Sequence, residues 1–173
     1  MGRLTSLPSS VVTDDSALGG AVIANSLRVS TTDSSYLIRT PSSAGNRRTF
    51  TISLWVKRSS MSGSAVFGAY ISNSDRATLR FNNHNIEFQT SSYSVKTTAT
   101  FRDTNSWYHI VCAIDTTQGS QSDRGKIYVN GVQQTLQSNN LPQNLDTSVN
   151  NNSVQTFGTR WIGGYNGGFD GYL

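Results

Sequence analysis

The fold is decided by residues 106–136, SWYHIVCAIDTTQGSQSDRGKIYVNGVQQTL. Residues 107–115 are mainly β-branched, aromatic and small apolar types without Gly or Pro, which predicts one strand. Both faces of this strand are largely apolar, as expected for a central strand covered on both sides. Asn130-Gly131 separates two more β-prone runs, 126–129 and 132–136, and Asn-Gly favours a type I′ hairpin because both positions need positive φ. The stretch therefore indicates the centre of an antiparallel β protein.

The rest of the chain repeats this pattern. Residues 49–58 alternate strictly, which places Phe50 and Ile52 on a core face. We expect Trp55 and Trp107 to be core residues as well. Residues 137–153 form a long polar loop, and residues 164–168 a turn. Further short strands are predicted at residues 27–29, 36–39, 65–72, 77–81, 86–90, 95–101, 156–163 and 169–173.

Length and composition point to one all-β domain. The chain has 173 residues, of which 14% are charged, and its many Ser, Thr and Asn residues favour turns and strands over helices. Residues 1–25 are rich in Ser, Thr and Gly and predict an N-terminal arm. Two interpretations stay open for it: a disordered leader, or a segment that orders on a neighbouring subunit. Residues 26–173 form the predicted sandwich domain.

Charge and cysteine content narrow the function classes. The formal net charge is +4, yet the seven basic residues between positions 39 and 80 are dispersed, which favours an acidic partner over nucleic acid. Cys112 is the only cysteine, and its apolar strand predicts a buried thiol. No segment approaches the ~20 apolar residues of a membrane span, and residues 1–20 lack signal-peptide features. We expect neither membrane insertion nor nucleic-acid binding.

Five segments carry a resemblance to a known family. In chain order they are FTISLWVK (50–57), WYHI (107–110), KIYVNG (126–131), IG (162–163) and FDGYL (169–173). Together they resemble the concanavalin A-like lectin/glucanase superfamily, in its laminin G-like branch, over residues 27–173. The resemblance implies a two-sheet antiparallel jelly-roll sandwich. It also implies that residues 26–173 lack the strand that follows a segment like FDGYL.

Residues 26–58 also resemble domains of structural proteins from tailed bacteriophages. This resemblance implies a virion protein, namely a capsid decoration, head-fibre or tail component that is made in the host cytoplasm. Its implied partners are other virion proteins and copies of itself within the particle, and a glycan of the host surface is a further candidate.

The superfamily contains glucanases, so an enzyme needs consideration. Retaining glycosidases hold two carboxylates about 5 Å apart, and their motif places acidic residues at alternate positions of one strand. Glu87 is the only glutamate, and no acidic residue lies two or four positions away. His84 is expected in a turn and His109 packed in the central strand. These patterns predict that the protein is not an enzyme.

Two sets of residues are candidates for ligand binding. Some laminin G-like relatives bind calcium through Asp and Asn oxygens at one rim, so the resemblance implies Asp115, Asp123 and Asn130 as candidate ligands; no other cofactor is expected. A sugar site needs an aromatic ring and polar side chains on loops of a rigid scaffold. Around the Gly-rich turn near the C-terminus, these types predict a carbohydrate site formed by Arg160, Trp161, Tyr165, Asn166 and Asp170.

Three functions follow from these expectations. The first is an assembly role in a phage particle. The second is host recognition through glycan binding by a tail fibre. The third, glycoside hydrolysis, is the least favoured because Glu87 has no carboxylate partner in the sequence pattern. Jelly-roll folds occur in both capsid proteins and lectins. The choice between assembly and host recognition therefore rests on analogy with relatives and not on a residue pattern.

Overall fold

A computed structural model describes residues 25–61 and 65–173, with the backbone alone for Tyr165 and Asn166. The predicted arm, residues 1–25, lies outside this part of the chain except for Asn25. The described residues form two antiparallel sheets packed face to face and a separate two-stranded hairpin. The all-β jelly-roll fold is therefore confirmed. Within the described ranges, no helix is long and apolar enough to cross a membrane.

The described residues form fifteen strands and one short 3-10 turn at Gln121–Asp123. Most strands end at Asn, Ser, Asp or Gly turns, as the sequence predicts. In chain order they are β1 (Arg28–Val29), β2 (Leu37–Arg39), β3 (Thr49–Arg58), β4 (Ala65–Ser72), β5 (Asp75–Asn82), β6 (Asn85–Thr90), β7 (Ser94–Thr97), β8 (Tyr108–Asp115), β9 (Gly125–Val129), β10 (Val132–Gln133), β11 (Leu136–Asn139), β12 (Val154–Phe157), β13 (Thr159–Trp161), β14 (Tyr165–Gly168) and β15 (Gly171–Tyr172).

Sheet I has the order β1-β15-β3-β8-β9-β10, and sheet II has the order β11-β7-β6-β5-β4-β12-β2. The longest register is between β3 and β8, from Thr49 opposite Asp115 to Val56 opposite Tyr108. The hairpin of β13 and β14 packs on sheet II at Gly68, where a Cβ would come within 3.4 Å of the Cα of Arg160. The hairpin therefore covers part of the outer face of sheet II.

The two ends of the described domain meet at one edge of sheet I. Strand β1 pairs with β15, and beyond it Leu27 and Leu173 exchange two backbone hydrogen bonds of 2.9 Å each. Strand β15 pairs in turn with β3. Among the described strands, β1 is therefore hydrogen-bonded to the rest of sheet I through β15.

The core lies between the two sheets and follows the predicted alternation. Ile52 and Val56 of β3 are buried, and Phe50 packs against Phe88 of sheet II with ring centroids 6.0 Å apart. Burial of such side chains stabilises a fold by about 1.5 to 3 kcal/mol each. Cys112 is fully buried, as predicted, and this burial raises the pKa of its thiol to about 12. The cysteine is therefore a packing residue.

The turn predictions are confirmed where positive φ is required. Asn130 and Gly131 have φ of 50° and 80°, which is the type I′ geometry, and they join β9 to β10. Asn83 and His84, with φ of 51° and 70°, form the corresponding turn between β5 and β6. His84 is thus a turn residue, as expected.

Four predictions of local structure, two of strands, one of a turn and one of a loop, are wrong in detail. The segment 156–163 is not one strand, because Gly158, with φ of 84°, separates β12 from β13. Residues 164–168, expected to be a turn, contain β14, which returns along β13. The predicted strand 95–101 ends at Thr97, and part of the predicted 137–153 loop belongs to β11. The β13–β14 hairpin relies on positive φ at Gly158 and Gly163, which hydrophobic alternation does not reveal.

Candidate functional site

The outer face of sheet I carries a group of aromatic rings, of which two tryptophans are exposed. Side chains along a strand alternate between core and solvent, and in the β3–β8 register Trp55 lies opposite His109. Trp107 directly precedes β8 and shares the parity of His109, so it also points outward. Tyr172 belongs to the same face because it lies opposite Lys57. We call this surface the aromatic face, and its members are Trp55, Trp107, His109, Tyr128 and Tyr172.

Ring contacts hold the aromatic face in place. Trp55 stacks on His109 with centroids 4.9 Å apart and planes inclined by 23°, while the Nε2 atom of His109 lies 3.0 Å from the Oγ atom of Ser53. Trp107 contacts Tyr172 at 6.3 Å. Trp55 nevertheless remains 43% exposed and Trp107 38% exposed. The two indoles are therefore fixed by neighbours but still accessible to a ligand.

The aromatic face corrects three expectations from the sequence. Trp55 and Trp107 are not core residues, and His109 is half-buried on the outer face instead of packed in the core. Only one face of β8 is fully covered, since buried and half-buried residues alternate along it. The signal was present in the sequence: Trp55 shares its face of β3 with Thr51 and Ser53. The alternation of side chains along a strand predicts that these residues face outward, whereas their hydrophobicity alone predicts that they lie in the core.

The predicted carbohydrate residues are partly brought together. Arg160 and Trp161 lie on β13, and in the backbone register they pair with Asn166 and Tyr165 of β14. The indole of Trp161 contacts the ring of Tyr36 at 5.9 Å. Both Arg160 and Trp161 are half-buried. The hairpin thus places Arg160 and Trp161 next to each other in the chain above sheet II, with their side chains on opposite faces of β13.

Asp170, the fifth predicted residue, has a different environment. Its carboxylate accepts a 2.7 Å hydrogen bond from the backbone N–H of Thr31 and bonds of 2.8 and 2.9 Å from the hydroxyl of Thr31. The backbone carbonyl of Asp170 also accepts a bond from the N–H of Ser59. These contacts fasten the turn after β1 to the chain before β15. The position of Asp170 is explained by this structural role.

Glu87, the residue on which a hydrolase would depend, is 5% exposed on β6. Its Oε2 atom accepts hydrogen bonds from the Nε atom of Arg80 at 2.8 Å and the Nδ2 atom of Asn82 at 2.9 Å. A general acid must reach its substrate by direct contact or through one water. A carboxylate that is buried and bonded in this way stabilises sheet II and is poorly placed for proton transfer.

The three residues proposed as calcium ligands do not gather. Asn130 lies beside His109 at one end of β8, where its Oδ1 atom accepts a 2.8 Å bond from the backbone N–H of His109. Asp115 is at the other end, six residues or about 20 Å away along the strand. Asp123 lies near that end and forms an ion pair with Lys126 at 3.4 Å. In the part of the chain that the structure describes, no group of three acidic, His or Cys side chains could hold a metal.

Asp115 and Asp123 instead line an open groove of about 320 Å³ at the end of sheet I. Hydrogen bonds from Thr117 and Gln118, with a further bond from Thr49, lower the pKa of Asp115 to about 2. These partners come from the loop after β8 and from β3. The carboxylate therefore stays ionised at neutral pH and orders the loop that follows β8.

Solved structures with similar folds are of several kinds. Domains LG4-5 of the mouse laminin alpha1 chain match with a TM-score of 0.63 and 14% identity, covering 88% of this chain and 41% of that one. Domain 4 of AbnA, a GH43 extracellular arabinanase from Geobacillus stearothermophilus solved with arabinotriose, matches at 0.54 and 20% identity, covering 75% and 58%. The CBM40 of the Ruminococcus gnavus IT-sialidase matches at 0.54 and 16% identity, covering 73% of each chain. At these identities the likeness concerns the fold.

The present chain spans about two fifths of the laminin structure and less than two thirds of the arabinanase domain structure. No curated protein sequence matches it significantly. A family model described as the concanavalin A-like lectin/glucanases superfamily, of the laminin G type, matches residues 30–173. This match covers most of the chain and agrees with the two-sheet sandwich and with the structural neighbours. The chain therefore belongs to the laminin G-like family of the concanavalin A-like lectin/glucanases superfamily.

Proposed function

We propose that this protein is a non-catalytic, glycan-binding component of a bacteriophage virion. The observation that carries glycan binding is the pair of exposed tryptophans, Trp55 and Trp107, held on a rigid sheet by ring contacts. Two structural neighbours support it, since one was solved with arabinotriose and the other is a carbohydrate-binding module. The phage context rests on the resemblance of residues 26–58. The buried, hydrogen-bonded Glu87 supports a binding role over hydrolysis.

The geometry of the aromatic face suits a sugar chain. The cross-strand row that contains Trp55 and the row that contains Trp107 are two residues apart, or about 7 Å along the strands. The apolar face of a pyranose packs on an indole, and polar side chains at the edge bind its hydroxyls. Lys57 and Ser53 lie on the same face of β3 and supply such groups. The surface therefore offers two stacking positions along one line.

Removal of either indole tests this proposal. The full chain is screened on an array of neutral and acidic bacterial surface polysaccharides that includes arabinotriose, and the best ligand is titrated by calorimetry. Trp55→Ala and Trp107→Ala are each expected to weaken binding about tenfold, because aromatic packing contributes roughly 1 to 2 kcal/mol with the apolar area it buries. Tyr93→Ala, which removes an exposed ring of the Thr90–Ser94 turn in sheet II, is the matched control. A blank array, or unchanged binding by both variants, would overturn the proposal.

A second candidate function, particle assembly, is favoured by the edge of sheet II. Strand β2 pairs only with β12 among the described strands and is exposed throughout. Leu37 and Ile38 are 53% and 51% exposed, and Phe157, opposite Leu37, is 37% exposed. Exposed apolar edge strands invite pairing with another chain. This edge is where we expect other virion proteins, or further copies of the chain, to dock.

Charged substitutions at this edge test assembly separately from sugar binding. A Leu37→Asp, Ile38→Asp double variant is expected to fold, because both side chains face solvent, but to be absent from purified particles. Quantitative mass spectrometry of the particles measures its copy number relative to a major capsid protein. Trp55→Ala serves as the control that should still be incorporated. Normal incorporation of the double variant would exclude this edge as the assembly surface.

A further inference from the structure

Three arginines converge on the outer face of sheet II. Arg76 and Arg80 lie on β5, two residues on either side of Thr78, so all three share one face. Thr78 lies opposite Gly68 in the β4–β5 register. The hairpin brings the Cα of Arg160 directly over Gly68. The backbone of Arg160 thus lies over the row of Gly68 and Thr78, between the rows of Arg76 and Arg80, each about 7 Å from Thr78 along the strand. We call these residues the arginine cluster.

The cluster carries excess positive charge. Arg80 is neutralised by Glu87, whose carboxylate lies 2.8 Å from its Nε atom. Lys96 lies opposite Glu87 on β7 and adds another cation. Burial lowers the pKa of Arg160, and the charges of Arg80 and Arg76 lower it further. An anion bound between these groups would relieve their mutual repulsion.

The surroundings of the cluster match the needs of a sugar. Trp161 follows Arg160 on β13 and is supported by Tyr36. Gln89 lies opposite Thr78 on β6 and is half-buried, so its amide can bind hydroxyl groups. Tyr70 lies opposite Arg76 and adds a phenolic hydroxyl. An amide and a phenol beside guanidinium groups would recognise a sugar that carries both hydroxyls and a negative charge, and Trp161 offers a ring at the edge of the hairpin.

We infer that the arginine cluster binds the carboxylate of an acidic saccharide, with Arg160 and Arg76 as its ligands and Gln89 and Tyr70 beside the sugar hydroxyls. A planar guanidinium matches a carboxylate with two parallel N–H···O bonds, which an ammonium cannot provide. Arg80 acts as a positioning residue, because its Nε atom is bonded to the carboxylate of Glu87, whereas Arg76 donates an Nη1 bond to a neutral acceptor, the backbone carbonyl of Asn73. This inference rests on the proposed glycan binding and adds a second, charge-selective site on the side of the sandwich opposite the aromatic face.

The test uses saccharides that differ only in charge. Trimers of galacturonate and of mannuronate and a hyaluronan tetrasaccharide are each titrated against the full chain beside their methyl esters. We expect at least one free acid to bind about tenfold or more tightly than its ester, with an advantage that shrinks as salt is raised. Arg160→Gln and Arg76→Gln are each expected to remove about tenfold of that advantage while leaving thermal unfolding unchanged. Arg102→Gln, at an exposed arginine outside the cluster, is the matched control.

The outcomes separate this inference from the proposed function. Equal binding of acids and esters that depends on Trp55 would overturn the charge-selective site and leave the glycan-binding proposal intact. Loss of the acid preference in the Arg102→Gln control to the same extent would also overturn it, since net charge would then explain the effect. Preference for free acids that disappears only in the Arg160 and Arg76 variants would establish the site. Absence of binding to every saccharide tested, on the array and in solution, would defeat both proposals.

Discussion

Replacement of Gly171 by alanine is expected to destabilise the sandwich severely. Gly171 lies on β15, opposite Arg58 of β3, with φ of 155°. A Cβ at this position would overlap the backbone carbonyl oxygen of Lys57 and lie 2.6 Å from the ring of Phe169. Neither neighbour can move freely, because the carbonyl belongs to a central strand and Phe169 is fully buried. Strand β15 must therefore separate from β3.

The cost of this separation is a large part of the stability of such a domain. We expect Gly171→Ala to lower the free energy of unfolding by about 4 kcal/mol or more, against a usual total of about 5 to 15 kcal/mol. Urea unfolding monitored by tryptophan fluorescence measures the change. Gly119→Ala is the matched control, since a Cβ there meets nothing within 4 Å. A Gly171→Ala midpoint equal to that of Gly119→Ala would refute the overlap argument.

Substitution of Arg58 is expected to have the second large effect on stability. Arg58 is 1% exposed and lies at the end of β3. Its Nη1 and Nη2 atoms each donate a 2.9 Å hydrogen bond, to the carbonyl oxygens of Phe101 and Met61. Its guanidinium lies 4.4 Å from the centroid of the Phe81 ring. Burial lowers the pKa of Arg58, which indicates that the charge itself is unfavourably placed. The side chain thus stabilises through its volume, its two hydrogen bonds and the ring contact.

Arg58→Ala is expected to lower the free energy of unfolding by about 3 to 4 kcal/mol, because it leaves a cavity and two partly buried carbonyls without their donors. Arg58→Met should cost only about 1 to 2 kcal/mol, since it refills the cavity and removes the buried charge. Chemical denaturation of both variants gives these values, with the exposed Arg102→Ala expected within about 0.5 kcal/mol of the parent. If methionine were as harmful as alanine, the hydrogen bonds and not the volume would dominate.

Much of the sandwich could be predicted from local patterns. Strands β3 and β4 begin and end at the predicted residues, because each is bounded by turn-forming Asn, Ser or Gly residues. The hairpin at Asn130 follows from the φ values that its turn requires. The family resemblance drawn from five short segments is confirmed by the match over residues 30–173. The role in a phage particle stays a prediction.

The proposed binding surfaces were harder to predict for two physical reasons. Trp55 faces outward because side chains alternate along β3, whereas its hydrophobicity predicts a core position. The arginine cluster depends on contacts between residues far apart in sequence: Arg160 reaches Arg76 and Arg80 because the hairpin folds onto Gly68. No period of two or of 3.6 residues encodes such a contact. The position of Asn130 relative to Asp115 likewise needs the β8–β9 register.

The pairing of Leu27 with Leu173 determines how the domain would respond to a pulling force. Tension applied between these two residues acts across the β1–β15 pair, so it loads the hydrogen bonds one after another instead of all at once. Strand β15 would peel next from β3, where the pairing involves Gly171 and Tyr172 alone. The domain is therefore expected to open like a zipper at low force from this edge. The longer pairing of β3 with β8 would stay intact until β1 and β15 have separated from the sheet.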